Sequence, residues 1–372
     1  MRARVAIVYN EPVPSRYHAT GEEAAAEGVL TAVDAVHHAL LELGYEAERV
    51  PLLPPLEAAR EKLSRLKVDF VFNLFEGFTG YPETEADVPG ILESLGIPYT
   101  GCSAETLRLR LDKAKVKEIL KAEGIDTPDF QLLNPGTLSS FRLRFPCIVK
   151  PRREDASHGL SKQSVVTDFK SLAEQVTKIS HSYGGEALVE EFIDGQEFNI
   201  TVFGDSGYSF SPISEIVYTL PPHLPKILTF DAKWKPGTLY FQGTKAVCPA
   251  QIPAEEQERI KEIALAVFQR LVGRGYARVD TRRDSEGRYQ VLEVNANPDI
   301  SPDTGAALQA KAAGLTYNQF IEKIVKLALE GKHHESQNPL HDSGRQARHN
   351  GNPEQHARIQ TSRGGGRRGT PR

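Results

Sequence analysis

Four polar residues late in the chain have the types and spacing of a metal-dependent site. They are Arg278, Asp280, Glu293 and Asn295. Residues 276–282 and 289–294 alternate large apolar with polar side chains, and the turn at 284–287 predicts that the two runs pair as a hairpin. Two carboxylates and an amide oxygen would then share one face, and Mg²⁺ prefers hard oxygen ligands of this kind. The alternative is a solvated hairpin with a surface ion pair, but the backbone break at 295–298, beside the acids, favours a site.

A lysine followed by a polar loop gives the chain a second candidate for binding chemistry. Lys150 ends the predicted strand 145–151, and the loop 152–161, which contains Gly159, follows it. Such a loop could lay backbone N–H groups and a cation over phosphates. The lysines of the predicted helix 111–123 are instead typical of a solvated face.

The elements that position these residues begin with alternating strands and helices. Over about the first hundred residues this order predicts a small doubly wound α/β domain. The strands are predicted at 5–9, 45–50 and 68–74, and the helices at 22–43, 56–66 and 86–95. Neither a dinucleotide-binding glycine motif nor a P-loop motif follows a strand. Glu76 lies just past the third strand, where open α/β sheets place ligands, although it could equally form a turn.

Composition indicates a globular protein with no bias toward nucleic acid or membrane. The 372 residues carry a net charge of −4 and are enough for two or three domains. The three cysteines, Cys102, Cys147 and Cys248, are widely spaced and odd in number, which predicts reduced, mostly buried thiols. Because the chain opens directly into a strand, without a long apolar segment, we expect a cytoplasmic protein.

The last forty residues differ in composition from the rest. From residue 333 onward, His, Arg, Gln, Asn and Gly replace the aliphatic residues, so the segment is predicted to be disordered. Its seven Arg against three acids make it basic, which leaves about −8 on the remainder. It could contact nucleic acid or an acidic partner, but a solvated tail is the simpler interpretation.

Taken in order, these motifs resemble the ATP-grasp ligases, most closely their D-alanine–D-alanine ligase branch. The markers are residues 70–77, 92–101, 112–113, 148–151 and 291–298, and the resemblance extends from the first strand to about residue 329. It implies an α/β fold in which a doubly wound N-terminal domain precedes a two-part ATP-grasp fold. The implied boundaries are 1–103 for the N-terminal domain, 104–188 for the central subdomain with its glycine loop, 189–331 for the C-terminal subdomain with the Mg²⁺ site, and 332–372 for the disordered basic tail.

The resemblance also implies how ATP is held. Lys113 and Lys150 match the lysines that neutralise the phosphates, Lys233 matches a third that reaches the γ-phosphate, and Ser157 and Gly159 belong to the loop that folds over the nucleotide. The hinge that hydrogen-bonds the adenine edge matches Glu190, Glu191, Phe192 and Ile193, and the acid that holds the ribose matches Glu197.

The implied reaction is an ADP-forming ligation. Asp280, Glu293 and Asn295 match the ligands of Mg²⁺, with two ions expected and Mn²⁺ as a substitute, while Arg278 and Lys233 match the cations at the reacting groups. A substrate carboxylate attacks the γ-phosphate to give an acyl phosphate and ADP, and an amine then attacks the acyl carbon. The partners are therefore a small carboxylate and a small amine, and the family suggests a homodimer.

The amino-acid pocket departs from the family pattern. In D-alanine–D-alanine ligases a glutamate, a serine and a tyrosine surround the first ammonium group; here either Glu11 or Glu22 could supply the glutamate. The positions of the serine, the tyrosine and a later glycine hold Ala156, Trp234 and Asp299, with Asp303 close behind. A carboxylate at the Asp299 position would favour a cationic or amine-bearing partner, unless it binds backbone amides.

Three functions follow. The first is a carboxylate–amine ligase with an altered pocket. The second is a D-alanine–D-alanine ligase of cell-wall synthesis. The third is an ATP-binding protein without ligase activity, which the retained lysines and acids disfavour.

Overall fold

Three parallel strands form the first sheet, in the order β2-β1-β3. The computed structural model describes residues 2–330, apart from residues 16, 18, 19 and 206. The elements of this region are β1 (Arg4–Asn10), α1 (Glu23–Glu42), β2 (Glu46–Leu52), α2 (Leu56–Ser64), β3 (Phe70–Leu74) and α3 (Asp87–Leu95). Val5 and Ile7 face α1, while Ala6 and Val8 face α2 and α3, so β1 is buried on both faces. The predicted doubly wound arrangement is confirmed.

A second sheet of antiparallel strands, in the order β4-β7-β5-β6, carries the predicted glycine loop. Its region comprises α4 (Ala104–Leu111), α5 (Lys113–Ala122), β4 (Phe130–Leu133), β5 (Cys147–Pro151), β6 (Val165–Val166), α6 (Phe169–Tyr183) and β7 (Ala187–Glu191). The single helix predicted from residue 111 is wrong at its start, because Asp112 leaves helical geometry and caps α5 through the Lys115 amide at 3.3 Å. Residues 162–164, directly after the loop, form a 3₁₀ turn.

The third sheet has the order β11-β10-β8-β12-β13, with β9 paired to β8. It consists of β8 (Glu197–Gly204), β9 (Tyr208–Phe210), β10 (Ser214–Tyr218), β11 (Thr244–Val247), β12 (Gly275–Arg283) and β13 (Tyr289–Ala296). The helices around it are α7 (Phe230–Trp234), α8 (Leu239–Gly243), α9 (Ala254–Leu271), α10 (Gly305–Ala312) and α11 (Tyr317–Glu330). The stretch 207–250, for which the sequence shows no clear period, contains three short strands and two one-turn helices.

The first and third sheets share a hydrophobic core. Val5 and Val29 of the N-terminal region cluster with Phe203, Tyr276 and Phe320. The described residues accordingly belong to one contact unit, and the domain boundaries at 103 and 188 stay a prediction. The basic tail, 332–372, lies outside the described residues.

Two further expectations concern the cysteines and the membrane. Cys102 and Cys147 are buried and Cys248 is half-buried, and none forms a disulfide. Within the part of the chain that the structure describes, no helix combines the length and apolarity needed to cross a bilayer.

Candidate active site

The hairpin of β12 and β13 places its four polar side chains on one face. Asp280 lies directly across from Glu293, and Arg278 across from Asn295. The Arg278 guanidinium holds Asp280 through two hydrogen bonds of 2.7 and 2.8 Å, and Asn295 Nδ2 donates to the same carboxylate at 2.9 Å. Burial raises the pKa of Asp280 even against the Arg278 charge. Asp280 is therefore a buried carboxylate that already has a guanidinium partner, and a metal ion bound there would share it with Arg278.

Lys113 connects the hairpin to the glycine loop. Its ammonium lies 2.9 Å from Glu293 Oε1 and 3.1 Å from Asp155 Oδ1, and it also donates to the Glu154 carbonyl. Burial alone would lower the pKa of Lys113, but Asp155 and Glu293 hold it above its ordinary value. Arg110 pairs with the same Asp155 at 2.6 Å. The predicted phosphate lysine and the predicted metal carboxylate are therefore in direct contact.

No cluster of three or more His, Cys, Asp or Glu side chains suited to a metal occurs among residues 2–330 as far as they are described. The proposed Mg²⁺ ligands fit that result, since they are two carboxylates and one amide. Asp280 and Glu293 are cross-strand neighbours, and each is paired with a cation that a metal ion would have to displace.

Lys150, at the end of β5, is paired with a buried glutamate that also contacts a second lysine. Its ammonium lies 2.5 Å from Glu190 Oε2, while Lys117 lies 2.7 Å from Glu190 Oε1. The side chains of Glu190 and Lys117 are 1% and 2% exposed, so the expectation of a solvated face is wrong for Lys117. Both oxygens of Glu190 thus face an ammonium group, and its backbone lies within the sheet between Phe130 and Ile148.

Other backbone groups of the predicted hinge already form hydrogen bonds within the protein. The backbone N–H groups of Glu191 and Phe192 donate to the Asp129 and Pro146 carbonyls at 2.9 and 2.8 Å. The Ile193 carbonyl accepts from Arg282 at 2.8 Å.

Glu197, the candidate ribose ligand, is held by other side chains. It pairs with Arg282 at 2.5 Å and accepts from the Tyr218 hydroxyl at 2.8 Å. Burial alone would lower the pKa of Arg282, but Glu197 raises it above its ordinary value. A ribose would have to compete with these two donors for the carboxylate.

The glycine loop is tied down by Glu22. The Gly159 amide donates to Glu22 Oε1 at 2.9 Å, His158 Nδ1 lies 3.2 Å from Oε2, and the Tyr183 hydroxyl donates to the same oxygen. Thr20 Oγ1 donates to it at 3.0 Å. Burial alone would raise the pKa of Glu22, but the hydrogen bonds from His158, Tyr183 and Gly159 lower it to about 2.

The helix α7 is attached to the same loop. Trp234 Nε1 donates to the Ala156 carbonyl at 3.1 Å, and Ser157 Oγ donates to the Leu228 carbonyl at 2.9 Å. Ala156 and Ser157 have φ of 52° and 63°, the left-handed region that costs residues other than glycine energy. The turn therefore needs the support that these contacts provide.

Lys233, also on α7, has no hydrogen-bond or ion-pair partner among the described residues. Burial and the neighbouring Arg278 charge lower the pKa of Lys233, although Glu293 and Asp280 oppose that shift. It is a half-buried cation whose pKa responds to the hairpin residues Arg278, Glu293 and Asp280, and such a cation suits an anionic ligand.

The candidate substrate residues are only partly brought together. Glu76 is exposed in the cleft, and partial desolvation there together with the Asp299 charge raises the pKa of Glu76 to about 8. Asp299 Oδ1 accepts from the Ser301 amide at 2.8 Å, so this carboxylate does bind backbone. Asp303 lies apart, because its side chain is 83% exposed and pairs loosely with Lys311 at 3.8 Å.

Several residues that contact the predicted site residues were not identified from the sequence. They are Arg110, Lys117, Asp155, His158, Tyr183, Tyr218 and Arg282. Only Asp155 and His158 had a signal, since both lie in the predicted loop 152–161.

Comparison with known proteins identifies the family of the chain. Residues 119–326 match the family described as "D-ala D-ala ligase C-terminus". The chain is 34% identical to an uncharacterised protein of Sinorhizobium fredii, covering 86% of this chain and 92% of the relative. It is 31% identical to a D-alanine–D-alanine ligase of Carboxydothermus hydrogenoformans, covering 80% and 93%.

A solved structure shows the same architecture. The D-alanine–D-alanine ligase of Bacillus anthracis complexed with ATP superposes with a TM-score of 0.68 at 25% identity, covering 90% of this chain and 99% of that one. The predicted resemblance, the fold class and the enzyme class are confirmed. The chain belongs to the D-alanine–D-alanine ligase family of ATP-grasp enzymes, which join a carboxylate to an amine.

Proposed function

We propose that the protein is an ATP-dependent, ADP-forming carboxylate–amine ligase that works through an acyl phosphate and has an altered amino-acid pocket. The observation that carries the proposal is the contact between Lys113 and Glu293 at 2.9 Å, which joins the phosphate cations to the acidic hairpin. Phosphoryl transfer needs positioning and charge neutralisation more than covalent help. A site rich in lysine, arginine and carboxylate meets that need.

Each cation has a proposed task. Lys113 and Lys150 neutralise the ATP phosphates, Lys233 approaches the γ-phosphate, and Arg278 steadies the transferred phosphate and the oxyanion formed when the amine attacks. Lys233 suits its task because it is half-buried and unpaired in the part of the chain that the structure describes. The glycine loop, held by Glu22 and Trp234, would exclude water from the acyl phosphate.

We further propose that Asp280, Glu293 and Asn295 hold Mg²⁺. The cross-strand placement of the two carboxylates and the oxygen atoms that the three side chains offer support this assignment. When bound, Mg²⁺ supplies charge that stabilises the transferring phosphate.

An altered pocket is supported by the surroundings of Glu22. Its carboxylate already has four partners, from Thr20, His158, Gly159 and Tyr183, and a carboxylate has about four lone-pair sites. It therefore has little capacity left for a substrate ammonium group. At the family's tyrosine position, the Trp234 indole bonds the Ala156 carbonyl instead.

The nearby acids suggest which amine is used. Asp299 and Glu85 both add negative charge around Glu76, although Glu85 is itself paired with Arg110. An amine acceptor with a second cationic group would relieve that repulsion. Because Asp299 also binds backbone, this preference rests on the group of acids and not on one residue.

The second candidate is D-alanine–D-alanine ligation itself. It is favoured by relatives that carry that name, such as the enzyme from Carboxydothermus hydrogenoformans. Cytoplasmic location and a homodimer remain part of the proposal for either function.

The test is acceptor-dependent ADP release over a panel of D- and L-amino acids and small polyamines. We expect turnover with at least one amine other than D-alanine, and loss of turnover in Glu293→Ala. D-alanine as the best substrate, alone, would eliminate the altered pocket and favour the second candidate. Wild-type protein that binds ATP but is inert toward every acceptor would refute ligation.

A further inference from the structure

Lys117 is a buried cation on a helix where Lys115 and Lys121 face solvent. It lies one turn after Lys113 on α5, and its side chain is 2% exposed. The ammonium lies 2.7 Å from Glu190 Oε1 and donates to Thr127 Oγ1 at 2.7 Å. Burying an ammonium group costs several kcal/mol unless it is paired, so the position needs an explanation.

Glu190 links Lys117 to Lys150. The register of β5 and β7 pairs Ile148 with Glu190, which places Lys150, two residues on, on the same face. The Lys150 ammonium lies 2.5 Å from Glu190 Oε2, and the Lys117 ammonium lies beside Oε1. One buried carboxylate thus lies between two ammonium groups.

Lys117, Glu190 and Lys150 together carry a net charge that neither lysine–glutamate pair has alone. One lysine would neutralise Glu190, so the second leaves one net positive charge. Lys117 is fully enclosed, whereas the Lys150 side chain is 13% exposed. If Lys117 were absent, Glu190 would be neutralised by Lys150 alone, and the charge of Lys150 would be cancelled.

We propose that Lys117 is a positioning residue that neutralises Glu190 and so leaves the charge of Lys150 available to an ATP phosphate. This inference rests on the proposed function. A second contact fixes the geometry, because Thr127 Oγ1, the acceptor of Lys117, donates to the Val291 carbonyl of β13 at 2.8 Å. Lys117 therefore also holds α5 against the strand that carries Glu293.

The test measures nucleotide affinity in the full chain. Calorimetric titration with the non-hydrolysable analogue AMP-PNP and Mg²⁺ should give a Kd for Lys117→Met about ten- to a hundredfold above wild type, the effect of losing one charge-assisted hydrogen bond. The KM of the best amine acceptor should stay unchanged, which separates this role from general destabilisation. Lys121→Met is the matched control, since Lys121 is exposed on the same helix and contacts Asp129 and the Phe130 ring, away from Glu190; its Kd should equal that of wild type.

A second variant separates charge from packing. Lys117→Met combined with Glu190→Gln removes one positive and one negative charge, so Lys150 is again free and the Kd should return to within about threefold of wild type. Its net charge equals that of the wild-type trio, the remaining charge lies on Lys150, the more exposed of the two lysines, and this variant carries the test if Lys117→Met fails to fold.

The outcomes distinguish the two proposals. A double variant as weak as Lys117→Met would show a packing role and overturn the inference, as would unchanged affinity in Lys117→Met. Wild-type protein that binds no AMP-PNP would overturn the proposed function and, with it, this inference.

Discussion

Glu22→Gln would test whether the glycine loop is anchored by an ionised carboxylate. The substitution keeps the side-chain shape and an acceptor oxygen but removes the charge. In the wild type, Glu22 is bound by the Gly159 amide at 2.9 Å, by the Tyr183 hydroxyl and by His158 Nδ1 at 3.2 Å. All three donors come from the glycine loop or α6, so the charge stabilises the closed loop.

The magnitude follows from the lowered pKa of Glu22, about 2 against an ordinary 4.5. That difference corresponds to about 3 kcal/mol of stability at neutral pH. Since the folded pKa is the lower one, the stability is fully present above pH 4.5 and is lost as the pH falls through 2. At pH 3 the same pKa values leave about 1.4 kcal/mol.

The assay is denaturant unfolding of both proteins at several pH values between 7 and 3. Trp234, the only tryptophan, hydrogen-bonds Ala156 in the loop, so its fluorescence reports the relevant region. The free energy of unfolding of Glu22→Gln should be about 3 kcal/mol below that of wild type at pH 7. At pH 3 this gap should be less than half as large. Glu27→Gln, an exposed position on the same helix, should show no gap. A gap that is the same at pH 7 and pH 3 would refute the ionised anchor.

Three further predictions concern single side chains. Gly28→Ala should lower the Tm, because the new Cβ would lie 2.8 Å from the Trp234 indole, although Ala favours a helix over Gly by about 1 kcal/mol. Adding Trp234→Phe should restore the Tm, and failure to do so would exclude the clash. Because the pKa of Lys233 is lowered from its ordinary 10.5, its charge should be lost below that pH, and the rate of ADP formation should fall with it. Lys233→Arg should abolish that decline, and the same pH profile in wild type and variant would argue against a role for the Lys233 charge. Arg282→Met should cost about 3–5 kcal/mol in denaturant unfolding by leaving Glu197 buried and unpaired, and Glu197→Gln in the same chain should recover much of the loss.

The hairpin face could be predicted because its rules are local. Strand side chains alternate with a period of two, so Arg278 and Asp280 must share a face, and a short turn fixes their register with Glu293 and Asn295. Strand β1 has a different local signal, since its continuous apolar run is typical of a parallel strand buried on both faces. Where one period extends over a whole element, the sequence is enough.

The buried ion pairs could not be predicted, since their partners are distant in sequence. His158 and Glu22 are 136 residues apart, and nothing near either residue indicates the other. Lys117 has the spacing of a surface lysine, and only the packing of α5 against β7 places it beside Glu190. The short strands β9 and β11 were missed for a different reason: three or four residues are too few to establish a period.

The charge pairs suggest that nucleotide and metal bind together. Lys113 is shared by Asp155 and Glu293, so a phosphate must compete with two carboxylates for one ammonium group. A divalent ion at Glu293 would neutralise that carboxylate and release Lys113. Each ligand thereby lowers the electrostatic cost of binding the other, which is the reciprocal coupling that linkage requires. Because Asp155 belongs to the glycine loop, the same exchange would also change what holds the loop closed.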